Sequence, residues 1–121
     1  MPLTPDTRHA LDLLADADHG QIAASVRALP FLATARHAVV ADRLLLRLCA
    51  HQRACAGQIV AYGTGAADHW SVQVVGLCET AEPTVEERAL FPGEAPADPV
   101  YLWVTPQYAT VHTEERRTPT E

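Results

Sequence analysis

The chain has 121 residues, 48% of them hydrophobic and 20% charged, with a formal net charge of −6 when histidine is neutral. That balance fits one globular domain with a single core, and the negative total argues against a nucleic-acid partner, because a phosphate backbone calls for a basic patch. No run of about 18 apolar residues is present, so no membrane helix is expected, and "MPLTPDTRHA" lacks the charged-then-apolar order of a secretory signal.

The first segment, Thr4 to Gly20, carries helix punctuation. Thr4 suits the N-cap, Pro5 the first helical position and Asp6 the positive end of the dipole. Ala10, Leu13, Leu14 and Ala17 repeat at helical spacing, and Gly20 fits the position just past the C-terminus. The period then changes. Gln21 to Arg27 reads as a strand, Leu29-Pro30 as a break, Phe31 to Val40 as a second strand and Ala41-Asp42 as a tight turn. Leu44 to Leu48 is apolar enough for a central third strand. A short helical piece, Ala50 to Ala56, ends at Gly57.

Gln58 to Tyr62 reads as the fourth strand and Gly63 to Asp68 as a hairpin turn, since its Gly-x-Gly lacks the third glycine and the helix of a dinucleotide loop. Trp70 to Cys78 is the fifth strand, with Trp70, Val72, Val74 and Cys78 on one face and Ser71, Gln73, Val75 and Leu77 on the other. Thr84-Val85-Glu86-Glu87 is a capping box opening a short helix to about Phe91, stopped by Pro92-Gly93. Val100 to Val104 and Tyr108 to His112 form the last strand region, interrupted at Thr105-Pro106, where a bend or a sheet edge is expected. Thr113 to Glu121 is a polar tail. The sum is mainly β: a six-stranded antiparallel barrel with an N-terminal helix and two short helices plugging its ends, one domain over residues 1–112 and a tail over 113–121.

The chemistry-bearing residues gather in "RLLLRLCAHQRACAGQIVAYG", which holds Cys49, His51, Arg53 and Cys55. The C-x-H-x3-C spacing matches no standard zinc pattern, so no metal site is assigned. Cys49, Cys55 and Cys78, with no CxxC among them, read as reduced thiols of a cytoplasmic protein, and Cys49 and Cys55 as small buried hydrophobes. A strand feeding a helix start, with Arg47 before it and Arg53 in its first turn, has the makings of a phosphate-binding turn; the alternative is a solvated Arg53. No GxSxG nucleophile motif occurs. A His69–Ser71 pair shares a strand face by spacing alone, and Tyr101 and Trp103 read first as packing residues.

Three stretches resemble the pyridoxamine 5′-phosphate oxidase-like family. "HWSVQVVGLCETAEP" is similar to its Trp-Ser-Val-x-Val-x-Gly strand followed by an acidic residue and proline. "GQIAASVRALPFLATARHAVVADRLLLRL" looks like its opening hairpins, and "VYLWVTPQYATVHT" is similar to its closing strand with a Thr-Pro turn. The resemblance spans about Gly20 to His112. It implies a split β-barrel homodimer with flavin (FMN) at the two-fold interface, and hydride transfer to or from a small organic substrate. It places Arg53 at the basic phosphate position, His51 and Gln52 on the polar positions before it, and Ser71 at a polar contact from the fifth strand. Arg47 and Leu48 fall where the third strand edges the flavin ring. The family's basic pairs are thinned here to Gln52-Arg53 and Arg36-His37, which leaves FMN, a deazaflavin or no cofactor as alternatives. No catalytic residue is evident; His51 and His37 are the candidate general acids. The alternative function is a ligand-binding or accessory barrel dimer without flavin. A metal- or haem-binding barrel rests on six scattered histidines.

Overall fold

A computed structural model describes residues 4–66 and 70–113. It begins with α1, Pro5–Ala15, capped as expected: the Thr4 hydroxyl accepts from the Thr7 amide at 3.2 Å, and Asp6 lies in the first turn. Ala10, Leu11 and Leu14 face the barrel and are fully buried. The helix stops well short of Gly20, because His19 and Gly20 belong to the first strand. A Cβ on Gly20 would stand 2.6 Å from the carbonyl oxygen of Gly63 and 2.8 Å from the Tyr62 ring. Close approach of two backbones, not helix capping, is what this glycine provides.

Six strands follow: β1 His19–Val26, β2 Leu29–Val40, β3 Arg43–Cys49, β4 Ile59–Ala66, β5 Trp70–Thr80 and β6 Pro99–Thr113. They close an antiparallel barrel in the order β1-β2-β3-β6-β5-β4. Between β3 and β4 lies a 3-10 helix, Ala50–Cys55, and between β5 and β6 lies α2, Val85–Arg88. The mainly β, six-stranded barrel with one N-terminal and two short helices is thus the fold expected from the sequence.

Three local expectations change. The β1–β2 break falls at Arg27 and Ala28, which turn with φ of 53° and 64°, while Leu29 and Pro30 already pair with Val26 and Ser25. Two consecutive left-handed residues make the hairpin whose twist matches its strands, here without the glycine or asparagine that normally announces it. The fourth strand runs on through Gly63-Thr64-Gly65 to Ala66, so these residues form ladder rather than turn; Ala67 and Asp68 lie outside the described residues. A Cβ on Gly63 would meet the Val72 carbonyl oxygen at 2.3 Å, so glycine is needed where β4 crosses β5. Finally, β6 is continuous. Val75 pairs with Tyr108 and Gly76 with Pro106, so Gln107 bulges out next to the proline. Pro106 has no amide to offer, and β6 has parted from β3 by that point, the last pair being Leu44 with Val104.

Side chains alternate cleanly. The interior row Ala33–Ile22–Tyr62–Val74–Ala109 runs across five strands in register. With Leu44, Leu46, Leu48, Leu102 and Val104 it forms the core, and α1 packs on the same cluster. A second cluster lies on the outer face of β3 and β6: Leu45, Ala81 and Phe91, with Tyr101 and Trp103 packed against them. Arg43 stacks 3.9 Å from the Trp103 ring centroid. The α2 helix opens with the expected capping box, Glu87 N to Thr84 Oγ1 at 3.1 Å and Thr84 N to Glu87 Oε1 at 2.9 Å. It ends at Arg88, and single turns carry the chain to Phe91.

Candidate functional site

The outer face of β2, β1, β4, β5 and β6 carries two rows fixed by the strand register. One is apolar: Leu32–Ala23–Ala61–Val75–Tyr108. The next is polar and small: Thr34–Gln21–Gly63–Gln73–Thr110. Between them an open groove of about 720 Å³ runs across the sheet, with Gly63, Ala61 and Ala23 in its floor and Gln21, Ser71 and Gln73 offering amide and hydroxyl groups. Leu32 and Tyr108 are 67% and 57% exposed. Large apolar side chains left open in a row beside a groove mark a surface built for contact. A second groove of about 660 Å³ lies between the β1–β2 hairpin and the 3-10 helix, lined by Val26, Arg27, Leu29, Pro30, Phe31, Ala54 and Gln58.

The six residues expected at a flavin site fall in several places. Ser71 lines the first groove, exposed, paired with Gly65 and His112. Arg53 is exposed on the 3-10 helix, next to Ala54 of the second groove. Gln52 caps that helix: its Oε1 accepts from the Cys49 amide at 2.9 Å. His51 belongs to the same helix, and its side chain lies outside the described part of the structure. Leu48 points inward and is 2% exposed. Arg47 points outward beneath the α2 segment and is 7% exposed. Within one chain, then, His51, Gln52 and Arg53 are adjacent, while Ser71 and Arg47 stand on other faces of the barrel.

Arg36 and His37, read as a thinned basic pair, point to opposite sides of β2. Arg36 faces solvent and meets Asp18 at 3.1 Å. His19 Nδ1 also reaches Asp18, at 2.8 Å, and that hydrogen bond, with Arg36 close by, holds the Asp18 carboxyl below its usual value. His37 faces the core at 3% exposure. Its Nε2 is 2.7 Å from the Leu14 carbonyl oxygen, and its Nδ1 meets the Tyr62 hydroxyl. The carbonyl can only accept, so Nε2 carries the proton and Nδ1 accepts from tyrosine in the neutral ring. Burial pulls the His37 pKa down and pushes that of Tyr62 up. With both ring nitrogens engaged, His37 fastens α1 to the barrel and is not placed to act as a general acid.

Cys55 and Cys78 are fully buried and Cys49 half-buried, all as free thiols. Among the described residues, no three His, Cys, Asp or Glu side chains gather as a metal site would need. No described helix is long and apolar enough to cross a membrane. His69, and with it the His69–Ser71 pairing, lies outside the described residues. Sequence reasoning missed Gln21, Thr34, Gln73 and Thr110. Each sits at an outward strand position, but only the register shows that they share a row.

The comparisons agree with this architecture. The chain matches no protein-family model and no curated protein sequence. Among solved structures it is similar to the FAD binding protein from Mycobacterium smegmatis, at 19% identity and a TM-score of 0.70, over 93% of this chain and 98% of that one. A putative pyridoxamine 5′-phosphate oxidase from Corynebacterium glutamicum gives 15% identity and a TM-score of 0.72, over 96% and 94% of the two chains. An FAD and heme binding protein from Mycobacterium smegmatis gives 16% identity and a TM-score of 0.71, over 93% and 74%. These likenesses define the chain as a split β-barrel of the kind found in FAD-binding proteins and putative pyridoxamine 5′-phosphate oxidases. The resemblance read from the three sequence motifs therefore holds at the level of the fold.

Proposed function

We propose that the protein is a homodimeric flavin- or deazaflavin-binding oxidoreductase that acts on a small organic substrate by hydride transfer. One observation carries the reading: an open groove of about 720 Å³, lined by small residues and by side-chain amides and hydroxyls, lies on the sheet face of a barrel whose structural neighbours include proteins described as FAD-binding. A flat floor of Ala23, Ala61 and Gly63 suits an aromatic ring system, and Gln21, Gln73 and Ser71 suit its polar edge. Among the described residues the groove holds no arginine, so the phosphate end of such a cofactor calls on Arg53, from the same chain or from a second copy facing the groove. When bound, the cofactor supplies the hydride chemistry and the chain supplies position and electrostatics.

The reading calls for a second copy. The apolar row ending in Leu32 and Tyr108 gives that copy a surface to cover. The natural setting of such a chain, with three free thiols and no described membrane helix, is the cytoplasm.

Titration of the purified protein with FMN and with a deazaflavin, followed by absorbance and thermal shift, tests the proposal. Saturable binding of either, weakened at least tenfold by Arg53→Ala, is the expected result. A second reading has its own observation behind it: Gln52 is engaged as a helix cap, leaving Arg53 as the single cation of its turn. On that reading the chain is a ligand-binding or accessory barrel dimer without redox activity. Protein that ignores both cofactors at saturating concentration yet remains dimeric would establish it in place of the first.

A further inference from the structure

Arg47 projects from the outer face of β3, with Arg36 opposite it on β2 and Tyr101 opposite it on β6. Only 7% of it is exposed. A guanidinium stays charged at any physiological pH, so this is a buried positive charge. Its compensation is thin. Nη2 stands 3.5 Å from the carbonyl oxygens of both Pro92 and Glu94, at the outer limit of hydrogen bonding. Its Nε is buried and has no hydrogen-bond partner among the described residues. The ion pairs among those residues join Arg8 to Asp42, His19 to Asp18 and Arg36 to Asp18, and none reaches Arg47.

Packing does not explain this arginine. Its neighbours are apolar: the Phe91 ring centroid lies 5.2 Å from the guanidinium carbon, and Leu45 and Tyr101 flank it in the outer cluster. A methionine or leucine would fill the same space with no charge to desolvate. What a guanidinium offers there is a planar fork that takes two oxygens of one carboxylate or phosphate. A second cation stands near: the Arg88 guanidinium carbon lies 5.7 Å from the Tyr101 ring centroid, while Arg36, opposite on β2, is already paired with Asp18.

The roof over Arg47 is lightly held. Residues 92–98 make no backbone–backbone hydrogen bond among the described residues. Phe91 plugs the outer cluster at 6% exposure, while its neighbour Leu90 is 52% exposed. We propose that Arg47 is the anchor of a small-oxyanion site roofed by the Phe91–Asp98 segment. A carboxylate or phosphate group of the ligand replaces the two long carbonyl contacts and engages Nε and Nη2 together.

The test uses the purified full chain without flavin, so its outcome is independent of the flavin reading. Inorganic phosphate and acetate are titrated separately, in a buffer of fixed ionic strength, by calorimetry and thermal shift. The expected result is a saturable rise in Tm for at least one anion. It is abolished in Arg47→Met and weakened at least tenfold in Arg47→Lys, which keeps the charge but loses the fork. Arg47→Met is also expected to melt higher than the wild type when no anion is present. The anion with the larger shift identifies the ligand group as carboxylate or phosphate. Phe91→Ala, which loosens the roof, is a second variant expected to bind the anion faster. Absence of a saturable shift in the wild type overturns the proposal, as does an equal shift in Arg47→Met, since either leaves Arg47 as a clip for the loop.

Discussion

The Tyr62 hydroxyl donates to Nδ1 of His37, and the opposite ring nitrogen of His37 donates to the Leu14 carbonyl at the end of α1. One buried imidazole thereby joins the terminal helix to the barrel wall. Desolvation lowers the His37 pKa from its ordinary value of 6.5. The unfolded chain therefore binds this proton more readily than the folded one. The stability contributed by neutral His37 is complete above about pH 6.5 and is lost progressively as the pH falls below it toward the folded-state pKa. Melting curves from pH 8 to pH 5 should show a falling Tm, with a smaller slope in His37→Gln. An identical slope in both would remove His37 from this role.

Removing the hydroxyl alone asks a different question of the same pair. In Tyr62→Phe the ring volume stays, but Nδ1 of His37 is left as a buried acceptor without a donor. The expected loss is about 1–3 kcal/mol, read from urea unfolding with an unchanged m-value. A variant as stable as the wild type would mean that neither this bond nor the hydroxyl's contact with the Ala35 carbonyl, at 3.3 Å, contributes to folding.

The hairpin tip offers a stabilising change. Ala28 holds φ of 64° in a two-residue turn and is exposed. A left-handed residue with a Cβ costs roughly 1–2 kcal/mol, and glycine gives back part of that gain, about 0.5–1 kcal/mol, through unfolded-state entropy. Ala28→Gly should therefore raise stability by about 0.5 kcal/mol or slightly more. Gly63→Ala should do the reverse and prevent soluble folding, since its Cβ would sit inside the Val72 carbonyl. Gly57, with φ of 86° and no atom within 4 Å of where a Cβ would stand, should tolerate alanine with only the local strain.

These positions show what the sequence could and could not disclose. The barrel was legible because its strands alternate, and because Thr4 and the Thr84–Glu87 box carry their caps in the local sequence. The Arg27-Ala28 turn was not, because its positive φ values are imposed by the strands it joins and no glycine advertises them. Gly20 and Gly63 misled for the opposite reason. Each looked like punctuation, yet each is required by a backbone crossing from a distant part of the chain. The site was legible only in pieces. Ser71 can be named from its strand, but that Gln21 and Thr34 share a row with Gln73, next to Ser71 along β5, depends on register. Arg36 and His37 looked like a pair until the pleat sent them to opposite faces.

The thiols separate by burial. Cys55 and Cys78 are fully buried, and burial raises both thiols, Cys78 up to about 12. The thiolate is the reactive form, so both should resist alkylation in the native state. Cys49 is half-buried at the end of β3. Iodoacetamide at pH 8 should add one label per native chain, at Cys49, and three after denaturation, as read by mass spectrometry. Rapid labelling of Cys78 in the native protein would show that the C-terminal end of β5 opens.

The apolar row supplies the last prediction. Leu32, Ala23, Ala61, Val75 and Tyr108 lie side by side on one outer face, and the two ends of the row are more than half exposed. An isologous dimer would pack this row on its own copy, with the small alanines receiving the large side chains of the partner. Placing a carboxylate at either end would put an unpaired charge in that contact, and the two-fold axis would present it twice. If the proposed dimer forms through this row, Leu32→Glu or Tyr108→Glu should convert it to a monomer by light scattering, with little change in the barrel itself, since both side chains already face solvent in the single chain. Val85 is 81% exposed on α2, away from this face, so Val85→Glu is the control and should leave the mass unchanged. If the flavin site is shared across the dimer, the two row variants should also lose cofactor binding while Val85→Glu keeps it. A monomeric variant that binds flavin as well as the wild type would place the whole cofactor site within one chain.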